Sequence, residues 1–415
     1  MKAASFIAAV LLVSCARVSA PEASPLMRTV PSRAVEVMHF PHLEQALELL
    51  FDSTSVFRSI DYGRMDDAEM VLSYDYSAGL IPLLAIDAGR SAADTSSAAR
   101  KVLEQAAGLK LYALHTGELL PKRAAILLSP SQAAVDEAFR HIESKVSILD
   151  ANGFADALSL AGGSAGAVIL KNENAGRWLP RNIPPGRFSR RDLTRFLTGA
   201  AEWTVLGFDS YSREGIKVKC LGNGNRKYLC EMFAALPEAD CKVGSVLPAG
   251  VSFVLGMPLK DAGEYLSAWQ DCLDRRAELS KYRGRLAGLK KAAGKSPEVW
   301  FKEISPKEVA LVQWDAYELL LLRPAKKARN SGIGENPRAG FIPALLGDAF
   351  RIADDSCCAA HGGWIAFGSE EALGAWLAAE KPGSAAELPR KAKFYFVNDG
   401  ISLCADTKNI VLNVN

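Results

Sequence analysis

The stretch Leu247-Pro248-Ala249-Gly250-Val251-Ser252-Phe253-Val254-Leu255-Gly256-Met257-Pro258 decides the fold. Val251, Phe253, Leu255 and Met257 fall on alternate positions, the period of a strand with one face in a core. Prolines stand near both ends, where a ladder can spare an N–H. The same frame occurs near the start of the chain, as Val30-Pro31, an extended segment to Phe40, and Pro41. From Pro31 to Pro248 and from Pro41 to Pro258 the offset is the same, 217 positions. An amphipathic helix follows each. Leu43, Ala46, Leu47 and Leu50 recur at i, i+3, i+4 and i+7, and so do Ala262, Tyr265, Leu266 and Trp269.

Farther along, the offset becomes 239. Glu69-Met70-Val71-Leu72 then faces Glu308-Val309-Ala310-Leu311, and Leu80-Ile81 faces Leu319-Leu320. Gly108, Leu111 and Ala113 face Gly347, Phe350 and Ile352, while Ile126 and Leu128 face Ile365 and Phe367. Ser131 and Ser369 each open a helical run, at 131–145 and 369–380, where a hydroxyl can cap helix amides. Each unit therefore reads strand, helix, hairpin, connection, hairpin, helix. The step from 217 to 239 predicts an insertion after the first helix of the second unit. Residues 274–292 fill it, strongly charged but with Leu279, Tyr282, Leu286 and Leu289 on one helical stripe. Hairpins at this density imply antiparallel sheet with helices on one face. The expected class is α+β: two related units of antiparallel hairpins with flanking helices, separated by a further α+β insert.

That insert is read at 150–245. It begins with a helix at 150–161, a strand at 165–170, and a turn-rich break at Asn182-Ile183-Pro184-Pro185-Gly186. A basic helix at 189–197 and a hairpin of 203–209 with 215–221 follow. Leu229, Met232, Phe233 and Leu236 then mark a helix that Pro237 closes. The expected organisation is a signal peptide at 1–14, a tether at 15–29, a first unit at 30–149, the connecting segment at 150–245, a second unit at 246–390, and a C-terminal strand and tail at 391–415.

Composition agrees with a folded chain of more than one unit. The 415 residues are 49% hydrophobic and 23% charged, with a mean hydropathy of +0.04. Such a balance excludes a disordered chain, a coiled coil and a collagen-like fibre. Lys and Arg number 49 against 47 Asp and Glu, a net +2, so the bulk charge carries no nucleic-acid footprint.

Lys2 followed by the apolar run Phe6–Val13 reads as an export signal, and no later window is a spanning helix. Leu12-Val13-Ser14-Cys15 resembles the lipobox of bacterial lipoproteins, in which the cysteine is acylated and becomes the first residue. Acyl chains on Cys15 would contribute about 0.8 kcal/mol per buried methylene. The other cleavage site, after Val18-Ser19-Ala20, is followed directly by Pro21, which disfavours it. The order of elements is similar to a family of uncharacterised envelope lipoproteins of Gram-negative bacteria. The residues that carry the resemblance are Cys15, Val30-Pro31, Ser129-Pro130-Ser131, Trp203 opening a hairpin, Leu247-Pro248, and Lys307-Glu308-Val309-Ala310. It implies a lipid-anchored envelope protein and assigns no catalytic residue.

Chemical motifs are sparse. Gly162-Gly163-Ser164-Ala165-Gly166 matches the nucleophile elbow of hydrolases, which needs a strand before the serine and a helix after it. Here a helical run precedes and the strand Ala167-Val168-Ile169-Leu170 follows, so turn chemistry accounts for the glycines. Cys357-Cys358 with His361 suggests a metal or thiol site, but adjacent cysteines serve one tetrahedral ion poorly. The repeat places them in a loop opposite Glu118-Leu119. Seven cysteines remain besides Cys15, and the preferred bridge joins Cys220, at a strand end, to Cys230 on the next helix.

Arg187, Arg190, Arg191 and Arg195 form one basic face, and Arg323 to Arg329 a basic loop; both read as solvated surface or as contacts to anionic headgroups. His39 and His42 flank Phe40-Pro41 at a strand end and read as structural, as do the carboxylate pairs Asp66-Asp67 and Asp354-Asp355. Trp269, Trp300, Trp314, Trp364 and Trp376 read as core rather than a sugar platform. No catalytic, cofactor or metal residue is assigned. The expectation is a non-catalytic scaffold or interaction protein of the bacterial envelope, facing the periplasm from the outer membrane. Its partners are membrane lipid through acylated Cys15 and another envelope protein, with no nucleic acid. The alternatives are a ligand-binding lipoprotein with a cleft between the units and, less favoured, a hydrolase on Ser164.

Overall fold

Val251–Pro258 is a strand, as its alternation requires, and so is Glu36–Phe40. The computed structural model describes residues 23–76, 80–89, 95–117, 123–182, 190–211, 216–381, 388–398, 401–405 and 410–414. The chain divides into two compact units, 16–221 and, apart from the first fifteen residues, 222–415.

The first unit contains β1 (Glu36–Phe40), α1 (Leu43–Leu50), β2 (Met70–Tyr76), β3 (Leu80–Asp87), α2 (Thr95–Gly108), β4 (Tyr112–His115) and β5 (Ala125–Ser129). It continues with α3 (Gln132–Ser144), α4 (Phe154–Leu160), β6 (Gly166–Lys171), α5 (Asn172–Asn182), α6 (Arg190–Ala200), β7 (Trp203–Phe208) and β8 (Ile216–Leu221). Its ladder runs β4-β5-β3-β2-β1-β6-β7-β8, antiparallel throughout.

The second unit contains α7 (Leu229–Ala235), β9 (Ala239–Asp240), β10 (Val251–Pro258), α8 (Ala262–Arg275), α9 (Leu279–Ala293), α10 (Pro297–Ile304), β11 (Glu308–Trp314) and β12 (Tyr317–Arg323). It continues with β13 (Ser331–Glu335), α11 (Phe341–Leu346), β14 (Cys357–His361), β15 (Trp364–Gly368), α12 (Glu370–Ala378), β16 (Lys391–Ala392), β17 (Phe394–Asn398), β18 (Ile401–Ala405) and β19 (Ile410–Val414). Its ladder runs β13-β14-β15-β12-β11-β10-β17-β18-β19, again antiparallel, and β9 pairs separately with β16.

Apart from β13, the strands of the second ladder correspond in order and register to the eight of the first. Val37 lies between Ser73 and Ile169, as Val254 lies between Val312 and Val397. Leu84 faces Leu128 as Leu320 faces Phe367, and Ala113 faces Leu128 as Cys358 faces Phe367. Gly166 faces Phe208 as Phe394 faces Ala405. The pairings correct two sequence matches. Leu320 corresponds to Leu84 rather than Ile81, and Cys358 rather than Ile352 corresponds to Ala113. Hairpin loops change length without disturbing a ladder, so a constant offset drifts wherever a loop shortens. Asp315-Ala316 closes β11–β12, and Gly362-Gly363 closes β14–β15 with φ of +61° and +86°, the backbone a two-residue primed turn needs.

Three expected boundaries move. Residues 150–221 are not a separate segment, because β6 pairs with β1 and extends the first ladder. The tail at 391–415 is likewise integral, since β17 pairs with β10. The tether at 15–29 ends earlier than expected: Pro25–Thr29 is a 3-10 turn that buries Leu26 and Met27 in the core of the first unit. Two predictions hold as helices: most of the insertion at 274–292 falls in α9, and the runs after Ser131 and Ser369 are α3 and α12. Only Ser369 caps with its side chain, accepting from the Ala372 N–H; Ser131 makes no such bond.

Each core lies on one sheet face. In the first unit Val37, Val71, Leu127, Ile169 and Val205 meet Val135, Ala138 and Ile142 of α3 and Phe154 of α4. In the second, Val254, Ala310, Val312 and Leu321 meet Leu373 and Trp376 of α12. Trp314 and Trp364 join that core and Trp300 is buried, so four of the five tryptophans are interior while Trp269 is half-buried.

Candidate functional site

The matching ladders bring one carboxylate to the same place in each unit. Glu308 opens β11, and Glu69 stands immediately before β2. In the second unit Glu308 is fully buried. Its carboxylate accepts from the Tyr395 hydroxyl at 2.7 Å, the Lys242 N–H at 2.7 Å and the Val243 N–H at 3.4 Å, with Arg323 Nε at 3.5 Å. Burial pushes the carboxyl above its usual range, against the pull of Tyr395, Lys242 and Arg323. Tyr395 comes from β17 and must cross β10 to reach it. It does so over Gly256, where an added Cβ would lie 1.9 Å from the ring. The glycine is what lets the phenol through.

The first unit solves the same problem from another strand. His39 occupies the position equivalent to Gly256, and Ala167 the position equivalent to Tyr395. The imidazole Nε2 sits 2.7 Å from Glu69 Oε1, and Arg123 lies between Glu69 at 3.6 Å and Asp87. Burial alone would raise the Glu69 carboxyl, but His39, Ser24 and Arg123 outweigh it and hold it below its usual range. This centre touches water: His39 keeps 28% of its side-chain exposure and Glu69 22%, against none for Glu308. The Ser24 hydroxyl faces Glu69 and the Leu26 N–H rather than the imidazole. The two centres were not visible as a pair in the sequence beyond the match of Glu69 with Glu308.

A second feature is a concavity of about 620 Å³ in the second unit. Ala234, Leu236 and Pro237 at the end of α7, Lys260, Asp261 and Glu264 at the start of α8, and Lys393 line it. Lys393 is 6% exposed and donates to the Ala234 carbonyl at 2.9 Å, a cation on the C-terminal carbonyls of a helix. Asp261 caps α8 by accepting from the Glu264 N–H. Both signs of charge thus border one apolar floor.

The residues singled out in the sequence fall elsewhere. Cys15 lies outside the described residues, as do Arg187 and Ile183 to Ser189. The Cys220–Cys230 bridge is not formed: both are buried thiols. Cys220 ends the inward pattern of β8, with the Thr204 hydroxyl 3.8 Å from its sulfur, whereas Cys230 belongs to α7 of the other unit. Cys357 and Cys358 are on a strand rather than in a loop, so their side chains diverge to opposite faces and cannot meet on one ion. Among the described residues no group of three His, Cys, Asp or Glu is placed to hold a metal.

Ser164 sits in the turn from α4 to β6, the reverse of the hydrolase elbow. Arg323 leaves the proposed basic loop for Glu308, while Lys326, Lys327 and Arg329 stay exposed, as do Arg190 and Arg191. No described helix is long and apolar enough to cross a membrane. No family model, curated protein or solved structure matches the chain.

Proposed function

We propose that this chain is a lipid-anchored protein of the bacterial envelope, acylated at Cys15, whose two α+β units act as a non-catalytic interaction scaffold. The observation that carries the reading is the register-matched pair of ladders. It supports an internal duplication in which one acid recurs, Glu69 partly exposed and Glu308 buried, each held by neighbours of its own unit. An acid closed by three or four internal donors serves folding rather than turnover. The envelope address rests on Leu12-Val13-Ser14-Cys15 and the apolar run before it. Its partners are membrane lipid through the acyl chains and a protein of the same compartment.

The test is fractionation of the cell envelope. Cys15→Ser moves the protein from the membrane to the soluble envelope fraction; retention in the membrane refutes the anchor. Crosslinking in intact cells followed by recovery of the protein identifies the scaffold's partner, and its absence refutes the scaffold.

One observation favours a second reading, a ligand-binding lipoprotein. The concavity beside Lys393, Lys260, Asp261 and Glu264 suits a small molecule bearing both an anionic and a cationic group. A thermal shift with free amino acids and short peptides, lost in Lys260→Ala, would establish it.

A further inference from the structure

Helix α9 belongs to the insertion of the second unit, and the first unit has no counterpart. Between α1 and β2 its residues 51–69 form only the short 3-10 turns Val56–Ser59 and Gly63–Met65. From Glu278 to Glu298 the chain carries six cations, Lys281, Arg283, Arg285, Lys290, Lys291 and Lys295, and no acid between. In a chain with 49 cations and 47 acids that imbalance is local. Arg285 pairs with Asp348 at 3.0 Å, and Lys295 pairs with Glu303. Lys281, Arg283, Lys290 and Lys291 are exposed and have no acidic partner among the described residues. Other helices pair their cations one turn away, as Arg100 with Glu104 in α2, Arg177 with Glu173 in α5, and Arg275 with Asp271 in α8.

The placement of these cations on the helix is specific. Tyr282 and Leu286 are buried where α9 packs on α8 and α11, and the Tyr282 hydroxyl donates to Glu298 Oε1 at 3.2 Å. The outward side is a line of Ser280, Gly284, Ala287 and Lys291, all exposed and spaced four, three and four residues apart. That is the spacing of a seam between two helices. Lys281 falls about 90° to one side of the line, and Arg283 and Lys290 about 70–90° to the other. Those flanks are the positions that pair with charges on a facing helix. The line itself is nearly bare: a Cβ added at Gly284 or Gly288 would meet nothing within 4 Å. A partner's backbone can therefore approach between the cationic flanks.

We propose that the outward face of α9 docks an acidic helix of a partner protein, whose Asp and Glu side chains straddle the line to meet Lys281 on one side and Arg283 and Lys290 on the other. Charge complementarity selects that occupant. A second copy of this chain would set cation against cation. An anionic bilayer is a plane, whereas the flanking cations lie on opposite sides of the helix. The line also offers no bulky apolar side chain to enter a bilayer. The inference rests on the scaffold reading and gives that scaffold its surface and the chemistry of its partner.

The test is fluorescence anisotropy of the full chain with a labelled, end-capped helical peptide of about three heptads, carrying alanine along its seam and glutamate on both flanks, and with its lysine counterpart. The acidic peptide binds at low salt with a Kd of about 10–200 µM, and the lysine peptide does not bind. Reversing the flanks, by Lys281→Glu with Arg283→Glu and Lys290→Glu, weakens the acidic peptide about tenfold or more and creates binding of the lysine peptide, with an unchanged circular-dichroism spectrum. Gly284→Gln keeps the charge and raises helix propensity, yet weakens binding severalfold by closing the line, which diffuse attraction would not show. Failure of the acidic peptide to bind, or binding indifferent to the reversal or to Gly284→Gln, overturns the proposal. So does adsorption to phosphatidylglycerol vesicles without binding of the peptide, which makes the face a membrane contact. If the peptide fails while crosslinking in intact cells still recovers a partner, this surface is refuted and the scaffold stands; failure of both refutes both.

Discussion

Removing a single oxygen, by Tyr395→Phe, tests how the second unit tolerates its buried acid. The phenol donates to Glu308 at 2.7 Å from a ring that lies over Gly256, and phenylalanine keeps the ring and its packing. What is lost is one donor to a carboxylate that no water reaches. An unsatisfied buried partner costs about 1–3 kcal/mol, and the remaining contacts from Lys242, Val243 and Arg323 place the loss near 2 kcal/mol. For a unit of this size that lowers the melting temperature by about 4–8 °C.

The deficit also depends on pH, with a definite sign. The hydroxyl lowers the Glu308 carboxyl from where burial alone would put it. Without it the folded-state value rises further, and ionised Glu308 becomes costlier. The variant therefore falls further behind the wild type as pH rises and recovers part of the difference in acid, where the carboxyl is protonated in both. Thermal unfolding followed at pH 5 and pH 8 measures this. Equal melting temperatures for the two proteins at pH 8, or a deficit that shrinks as pH rises, would refute the role assigned to the Tyr395–Glu308 bond.

Gly256→Ala places a methyl within the Tyr395 ring and should cost about 3 kcal/mol or more by chemical denaturation, with the loss abolished in a Tyr395→Ala background. Glu36, on β1 between Tyr74 and Leu170, has its carboxyl pushed by burial up to about 7 from 4.5. A raised folded-state value means stability is lost as pH climbs from about 4.5 to 7. Glu36→Gln should accordingly gain about 2–3 kcal/mol at pH 8 and nothing at pH 4, by urea titration. Cys220 and Cys230 should both alkylate in denaturant without reductant, and a mass showing either protected would contradict their thiol state.

The legibility of this chain divides along physical lines. Alternation at Val251–Met257, the 3.6-residue stripes of Leu43–Leu50 and Ala262–Trp269, and the charged stripe at Leu279–Leu289 are local patterns, and all became the elements they imply. The match of Glu69 with Glu308 was equally legible, because β2 and β11 carry similar side chains on the same period. Partner choice was not legible. Nothing in Gly166–Lys171 says that it pairs with β1, since a backbone ladder uses groups that every residue has; the segment was therefore read as an insert. Likewise Leu26 and Met27 look like tether until a sheet face 10 residues later needs covering.

The kinds of element, their order and their near-repetition are readable along the chain, because periodicity and turn chemistry act over a few residues. Which strands meet came from the folded structure alone. It showed that both ladders share one register, and that Gly256 opens a passage for Tyr395 where His39 stands in the other unit. It also showed that β14 carries a further neighbour, β13, with no counterpart among the described residues of the first unit. Those facts depend on contacts between residues tens to hundreds of positions apart, and such contacts leave no mark on either partner alone.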